Sequence, residues 1–335
     1  MDETELAESI NRNLELTIMP TEACNFRCVY CFEDFKIGRM SPETLEGLRN
    51  YLSRRMPELA SLNISWFGGE PLLAYDIMTN VMEYAHAVAK AVNPSLKIRS
   101  EATTNGFFLT IERLEYLTEL GVSNYQISFD GDREEHNKLR VMADGRPTFD
   151  VIWKNLLIAH QSDLEFSIKI RLHVNRDNIA SMEKMLRRIR DEIGADRRFE
   201  LFIRPLSKLG GANDATLPIM EETSAVSRLI SLAKGYNLSV TGDDPTYICY
   251  AAKPYAYVIR ADGSISKCTV ELYSSHNSIG RLLRDGTMAL ENDKILGWSR
   301  GIFSGDMEEL ACPAKNFPKE SLNKAGATKL RVLQG

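Results

Sequence analysis

Leu14-Glu15-Leu16-Thr17-Ile18-Met19-Pro20-Thr21 runs, after Glu22 and Ala23, into Cys24-Asn25-Phe26-Arg27-Cys28-Val29-Tyr30-Cys31. The first eight residues are rich in aliphatic side chains and read as a β-strand. The loop that follows holds three of the six cysteines of the 335-residue chain. Clustered thiols in a chain of this length are metal or redox groups rather than a disulfide scaffold. Three thiolates do not complete a structural zinc site, which takes four protein ligands, and the nearest histidine in sequence is His86. A cubane iron–sulfur cluster fits better, because three irons can take Cys24, Cys28 and Cys31 while the fourth stays open. Zinc is the alternative.

Outward from this loop, short β-rich runs alternate with amphipathic segments. Strands are expected at Leu14–Thr21, Leu62–Phe67, Ile98–Thr104, Tyr125–Phe129, Ser167–Val174 and Phe199–Pro205. Helices are expected at Pro42–Met56, Ile77–Val92, Ile111–Leu120, Phe149–Ser162, Ile179–Ile193 and Met220–Gly235. In Ile179–Ile193 the apolar residues Ile179, Met182, Met185, Leu186, Ile189 and Ile193 keep a helical stripe. Six strand–helix units in alternation imply an α/β fold with a parallel sheet, and six rather than eight imply a partial (β/α)6 barrel. A doubly wound sheet is the alternative; in both, the site lies at the C-terminal ends of the strands.

Past residue 236 the pattern changes. Tyr255–Ile259 and Ser264–Val270 flank Asp262-Gly263, a hairpin signal, and a short helix is expected near Asn292–Arg300, weakened by Gly297. A domain boundary between 225 and 245 follows, dividing the chain into 1–235 and 236–335. Lys319–Lys329 reads as loosely ordered.

The chain is 44% hydrophobic and 26% charged, with net charge −5. No run of 18 apolar residues and no basic, apolar secretory start is present, so a cytoplasmic protein without a membrane partner is expected. Mixed charge argues against a nucleic-acid partner, and Lys184, Arg187, Arg188 and Arg190 read as a solvated helix face.

Cys-x3-Cys-x2-Cys after a first strand resembles the signature of the radical S-adenosylmethionine (SAM) superfamily. The resemblance implies that the open iron of a [4Fe–4S] cluster chelates SAM, whose one-electron cleavage yields a 5′-deoxyadenosyl radical that takes hydrogen from a substrate. It makes Phe32 an adenine contact. Gly68-Gly69-Glu70-Pro71 after the second strand resembles the family's next motif, with glycines for close backbone approach to a ligand and Glu70 for the SAM ammonium. Thr104 and Asn105 end the third strand. Ser128 and Asp130 end the fourth, suited to ribose hydroxyls, and Arg171 in the fifth is a candidate for the SAM carboxylate. The resemblance covers roughly residues 14 to 210.

Cys249, Gly263, Cys268 and Cys312 resemble the C-terminal extension called SPASM or its shorter form, twitch, a β-hairpin module with auxiliary iron–sulfur clusters. A fourth twitch ligand would fall at Lys315. The resemblance therefore implies an auxiliary cluster on Cys249, Cys268 and Cys312 with one iron not held by cysteine; the alternative is loss of the cluster, with the thiols buried. Tyr247, Tyr250, Tyr255 and Tyr257 read as hairpin packing.

Such enzymes mostly modify peptides by crosslinking, epimerisation or oxidation, and draw electrons from a reductant such as flavodoxin or ferredoxin. The segment 130–140, with His136 and Arg140 four apart, resembles the peptide-maturase branch; His136 reads as an exposed helix-start residue. Sulfatase-maturing members carry an aspartate where this chain has Thr269, which cannot act as a base. A twitch-type dehydrogenase of a small aminosugar-like molecule and a non-enzymatic iron–sulfur sensor or scaffold are the alternatives. With about a dozen residues ahead of the first strand, a peptide is expected to bind without an N-terminal leader-binding module.

Overall fold

Strands β1 (Asn13–Ile18) and β2 (Ser61–Trp66) each alternate half-buried and buried residues along their length. The same alternation continues in β4 (Val122–Phe129), β5 (Ser167–Val174) and β6 (Phe199–Pro205), while β3 (Lys97–Thr104) is more exposed at its start. One face of the sheet is therefore apolar and the other polar. A doubly wound sheet buries both faces under helices and wants apolar residues on both, so the alternation selects the barrel. The computed structural model describes residues 12–220, 224–242 and 246–318.

The apolar face, including Leu16, Ile64, Trp66, Ile127, Ile170 and Leu172, packs in one core with the helices. These are α1 (Pro42–Arg55), α2 (Tyr75–Val92), α3 (Ile111–Glu119), α5 (Phe149–His160), α6 (Ile179–Glu192) and α7 (Ser224–Gly235). Pro42 opens α1 and the Ser41 side chain accepts from the Thr44 N–H, a capping arrangement that sets its start. In α6 the buried stripe is Met182, Met185, Leu186 and Ile189. The basic residues of α6 face solvent in ion pairs such as Lys184–Asp132 at 3.4 Å and Arg188–Glu192 at 2.9 Å.

Strands β1 to β6 pair in parallel in chain order, the partial barrel expected. The C-terminal strands β7 (Ala256–Ile259), β8 (Ser264–Ser266), β9 (Ser278–Leu282) and β10 (Met288–Leu290) continue the same sheet, because β7 pairs in parallel with β1 and β8 to β10 add antiparallel strands. The turn between β7 and β8 carries Gly263 at φ +82°, as Asp-Gly turns require.

Two features differ from expectation, and two others fall outside what the structure describes. A short helix α4 (Arg133–Leu139) follows the fourth strand; its seven polar-rich residues carry too few apolar positions to announce a stripe. The single late helix is three: α8 (Asn292–Trp298), α9 (Arg300–Ser304) and α10 (Met307–Ala311). The first turn of the helix expected from Met220, and Lys319–Lys329, lie in part or wholly outside the described residues. No helix among those described is long and apolar enough to cross a membrane.

Candidate functional site

The cysteine loop sits at the C-terminal end of β1 and is held from several sides. Gly68 has φ +104°, and a Cβ there would overlap the Thr21 carbonyl oxygen; one on Gly69 would overlap the Ala23 and Glu22 carbonyls. The Glu70 N–H donates to Ala23 O at 3.0 Å. The glycines make room for the cysteine loop.

Glu70 is held close by. Its carboxylate is fully buried, accepting from the Thr104 hydroxyl at 2.7 Å, the Leu72 N–H at 3.0 Å and the Asn105 N–H at 2.7 Å. It clamps two strand ends together. Thr104, 4% exposed, is spent on that clamp. Asn105 turns to the loop: its Nδ2 donates to Asn25 Oδ1 at 2.8 Å and approaches Cys24 Sγ at 4.0 Å.

Asp130 is likewise internal. Tyr30, between the second and third cysteines, donates its hydroxyl to Asp130 Oδ2 at 2.7 Å and accepts from Arg140 Nη1 at 2.7 Å. Asp130 Oδ1 lies 3.1 Å from His173 Nδ1. Burial would raise this carboxyl, but the His173 hydrogen bond and charge, with Arg140, hold it below its ordinary range. His136 is corrected: it is fully buried, 3.1 Å from Thr148 Oγ1, against Phe129 and Phe149.

Ser128 and Arg171 are register partners across β4 and β5 on the polar face. Arg171 Cζ lies 5.6 Å from the centre of the Phe202 ring, and its buried Nε has no partner, a donor left for an anion. Phe32 packs beside Met19, Phe67, Tyr250, Val258 and Leu272, where barrel and C-terminal strands meet. The structure thus brings Ser128, Arg171 and Phe32 to the polar side of the strand ends, and turns Glu70, Thr104 and Asp130 inward.

Residues that sequence reasoning passed over tie the loop down further. Arg260 of the C-terminal sheet makes a forked pair with buried Glu22, at 3.0 and 2.6 Å. Asn213, after β6, donates to Val29 O at 2.8 Å. Tyr30 was visible within the cysteine spacing, and Arg140 in the His-x3-Arg segment; their pairing was not.

Burial pushes the thiols up, Cys31 to about 11 and Cys24 and Cys28 also above the ordinary range. Without metal they stay protonated; a bound cation inverts that preference. Among the described residues no three His, Cys, Asp or Glu side chains converge closely enough for a single metal ion. Three thiols of one loop held apart suit a cubane, whose irons each take one thiolate, better than zinc.

Two cavities open on the polar face. One, of about 440 Å³, is lined by Glu15, Ser65, Glu101, Tyr250, Lys253 and Thr269 among others. The second, of about 1060 Å³, runs from Gln126, Arg171 and Phe202 to Tyr247 and Ala311. It ends next to the second cysteine set. Cys249 donates its N–H to Leu310 O at 2.9 Å, which places it beside the turn carrying Cys312. Burial first raises the Cys249 and Cys268 thiols, and charge then adds to it, from Cys312 on Cys249 and from Cys249 on Cys268, so the three lie near one another. Lys315 is exposed. Thr269 Oγ1 lies 2.9 Å from the Tyr250 hydroxyl, which also accepts the Thr269 N–H at 2.8 Å.

The model of the radical SAM superfamily matches residues 18–189. The chain is 24% identical over 172 residues to an Fe-coproporphyrin III synthase of Methanosarcina barkeri, covering 51% of this chain and 40% of that one. It is 27% identical over 237 residues to a PqqA peptide cyclase of Gluconobacter oxydans, covering 70% and 62%. It therefore spans about half the length of these curated relatives. Among solved structures, native anSMEcpe with bound AdoMet and Kp18Cys peptide shares the fold with TM-score 0.64, at 20% identity, over 85% of this chain and 80% of that one. A matched model spanning half the chain, a partial barrel and a three-thiol loop at the end of β1 agree: this chain belongs to the radical SAM superfamily, with the [4Fe–4S] cluster and SAM as its cofactors.

Proposed function

We propose that this chain modifies a ribosomally made peptide, by crosslinking, epimerisation or oxidation. When bound, the cluster and SAM supply a carbon-centred radical able to take hydrogen from an unactivated position. Cys24, Cys28 and Cys31 would hold that cluster. The unpartnered Nε of Arg171, with Ser128 beside it, suits the SAM carboxylate, and Phe32 the adenine.

The observation that carries the peptide reading is the cavity of about 1060 Å³. It starts at Arg171 and is walled by strand residues such as Glu101, Thr103, Asn124 and Gln126, which offer side-chain donors and acceptors. Its volume reaches the upper end of pockets for drug-sized ligands, room for SAM at the Arg171 end and for a substrate chain running toward Tyr247 and Ala311. The PqqA peptide cyclase supports the same reading, as a relative named for a peptide. Thr269, tied to Tyr250, offers no base, so sulfatase maturation is not favoured. Residues 1–235 form the barrel unit in this reading and 236–335 the auxiliary unit, with Cys249, Cys268 and Cys312 holding a second cluster.

The test is anaerobic. Reduced protein with SAM should form 5′-deoxyadenosine, and Cys24→Ala, Cys28→Ala or Cys31→Ala should abolish it. Perdeuterated peptides from the neighbouring coding region should pass deuterium into that product. Transfer from aminosugars but from none of those peptides would sink the peptide reading.

A further inference from the structure

The segment after α4 lies against the cysteine loop as a short antiparallel ribbon. Arg27 N–H donates to Val141 O at 2.8 Å, and Val29 N–H donates to Leu139 O at 2.9 Å. Phe26 bridges to Met142 in the same antiparallel sense. Cys28 lies between Arg27 and Val29 and Arg140 between Leu139 and Val141, so the two hydrogen bonds bracket both residues and bring them to the same level of the contact. Arg140 is 7% exposed. One nitrogen, Nη1, donates to the Tyr30 hydroxyl at 2.7 Å, while the buried Nε has no partner. A guanidinium withdrawn from water with a donor unspent is costly unless something anionic answers it. Asp130, behind Tyr30, answers part of the charge through the phenol.

We propose that Arg140 is the buried counter-cation of the iron–sulfur site, a positioning residue that sets its redox potential. It would stand against the Cys28 thiolate with Nε–H as the donor left for sulfur. A [4Fe–4S] cluster with three thiolates carries net negative charge, and one more electron adds to it. A fixed positive charge across the ribbon favours the reduced state, and hydrogen bonds to cluster sulfurs act in the same direction. Arg27, the other arginine of the loop, cannot serve, since its Nη1 is engaged by the Cys24 and Phe26 carbonyls on the exposed side. Tyr30 fixes the guanidinium from the loop side, so loop and cation are built as one unit.

The inference rests on Cys24, Cys28 and Cys31 being the cluster ligands, and the experiment separates the two. In reconstituted full-length protein, the electron paramagnetic resonance signal that shifts on adding SAM is followed in a redox titration. If Cys24→Ala/Cys28→Ala/Cys31→Ala retains that signal, the ligand assignment fails. With the assignment intact, Arg140→Gln that keeps its iron should show a more negative midpoint potential, with Arg140→Lys between it and wild type. An unchanged potential in iron-loaded Arg140→Gln overturns the proposal. Should Arg140→Gln fail to hold iron, wild-type protein labelled with ¹⁵N-arginine decides by pulsed resonance on the reduced signal: a ¹⁵N coupling lost in Arg140→Lys supports it, and absence of coupling in wild type overturns it.

Discussion

The Thr104 hydroxyl donates to Glu70 Oε1 at 2.7 Å, so the ends of β2 and β3 are joined by a fully buried carboxylate. Glu70→Gln replaces one acceptor oxygen with a donor facing the Thr104 hydroxyl or the Asn105 N–H. One buried donor then goes unsatisfied, at a cost of about 1–3 kcal/mol. Denaturant unfolding of the variant should show that loss. Wild-type stability combined with weakened SAM binding would return Glu70 to the ligand.

Stability in acid should depend on His136. Burial first, and the charge of Arg140 second, push its imidazole down to about 3 from an ordinary 6.5. The unfolded chain thus binds a proton that the folded one refuses, and stability falls as pH drops below about 6.5. At pH 5 the contribution is about 2 kcal/mol. Comparing unfolding at pH 7.5 and pH 5, His136→Gln should lose less than wild type by that amount. Equal acid losses in both proteins would refute it.

Arg260 and Glu22 tie the C-terminal sheet to the cysteine loop through a fork largely out of water, with Glu22 2% exposed. Arg260→Met strands a buried carboxylate and should cost about 3–5 kcal/mol, with Glu22→Gln in the same chain recovering part of it. Iron retention should fall alongside. A loss under about 1 kcal/mol, read from urea unfolding, would show the pair to be incidental.

Reconstituted protein should carry about eight irons if both cysteine sets hold cubane clusters, and about four once Cys249, Cys268 and Cys312 become alanine. A wild-type count near four, unmoved by those changes, would leave the downstream thiols as packing groups. Lys315→Cys should alter the spectroscopic signature of the second cluster without adding iron.

β5 and β6 were readable to the residue because their alternation starts and stops at polar or turn positions, and α6 to within one residue because its apolar stripe is unbroken. The cysteine spacing marked the loop that matters. Of α4 only a helix start near His136 was readable, since the extent of a seven-residue polar helix is set by the Asp132 cap and by packing of His136, which composition does not announce.

The roles within the motifs divide differently. Order along the chain determined that thiols, glycines, carboxylates and an arginine gather at one end of a parallel sheet, because alternation and strand direction are local properties. Which carboxylates face a ligand was decided only in three dimensions. Glu70 and Asp130 stand at strand ends as Ser128 does, yet neighbouring donors capture them: Thr104 and Asn105 for one, Tyr30 and His173 for the other. Arg140 reaches Tyr30 of the cysteine loop only because the fold packs together segments 110 residues apart. A side chain's hydrogen-bonding appetite is written in its own chemistry; the partner that satisfies it is set by which distant segments the fold packs together, and burial then makes that choice costly to reverse.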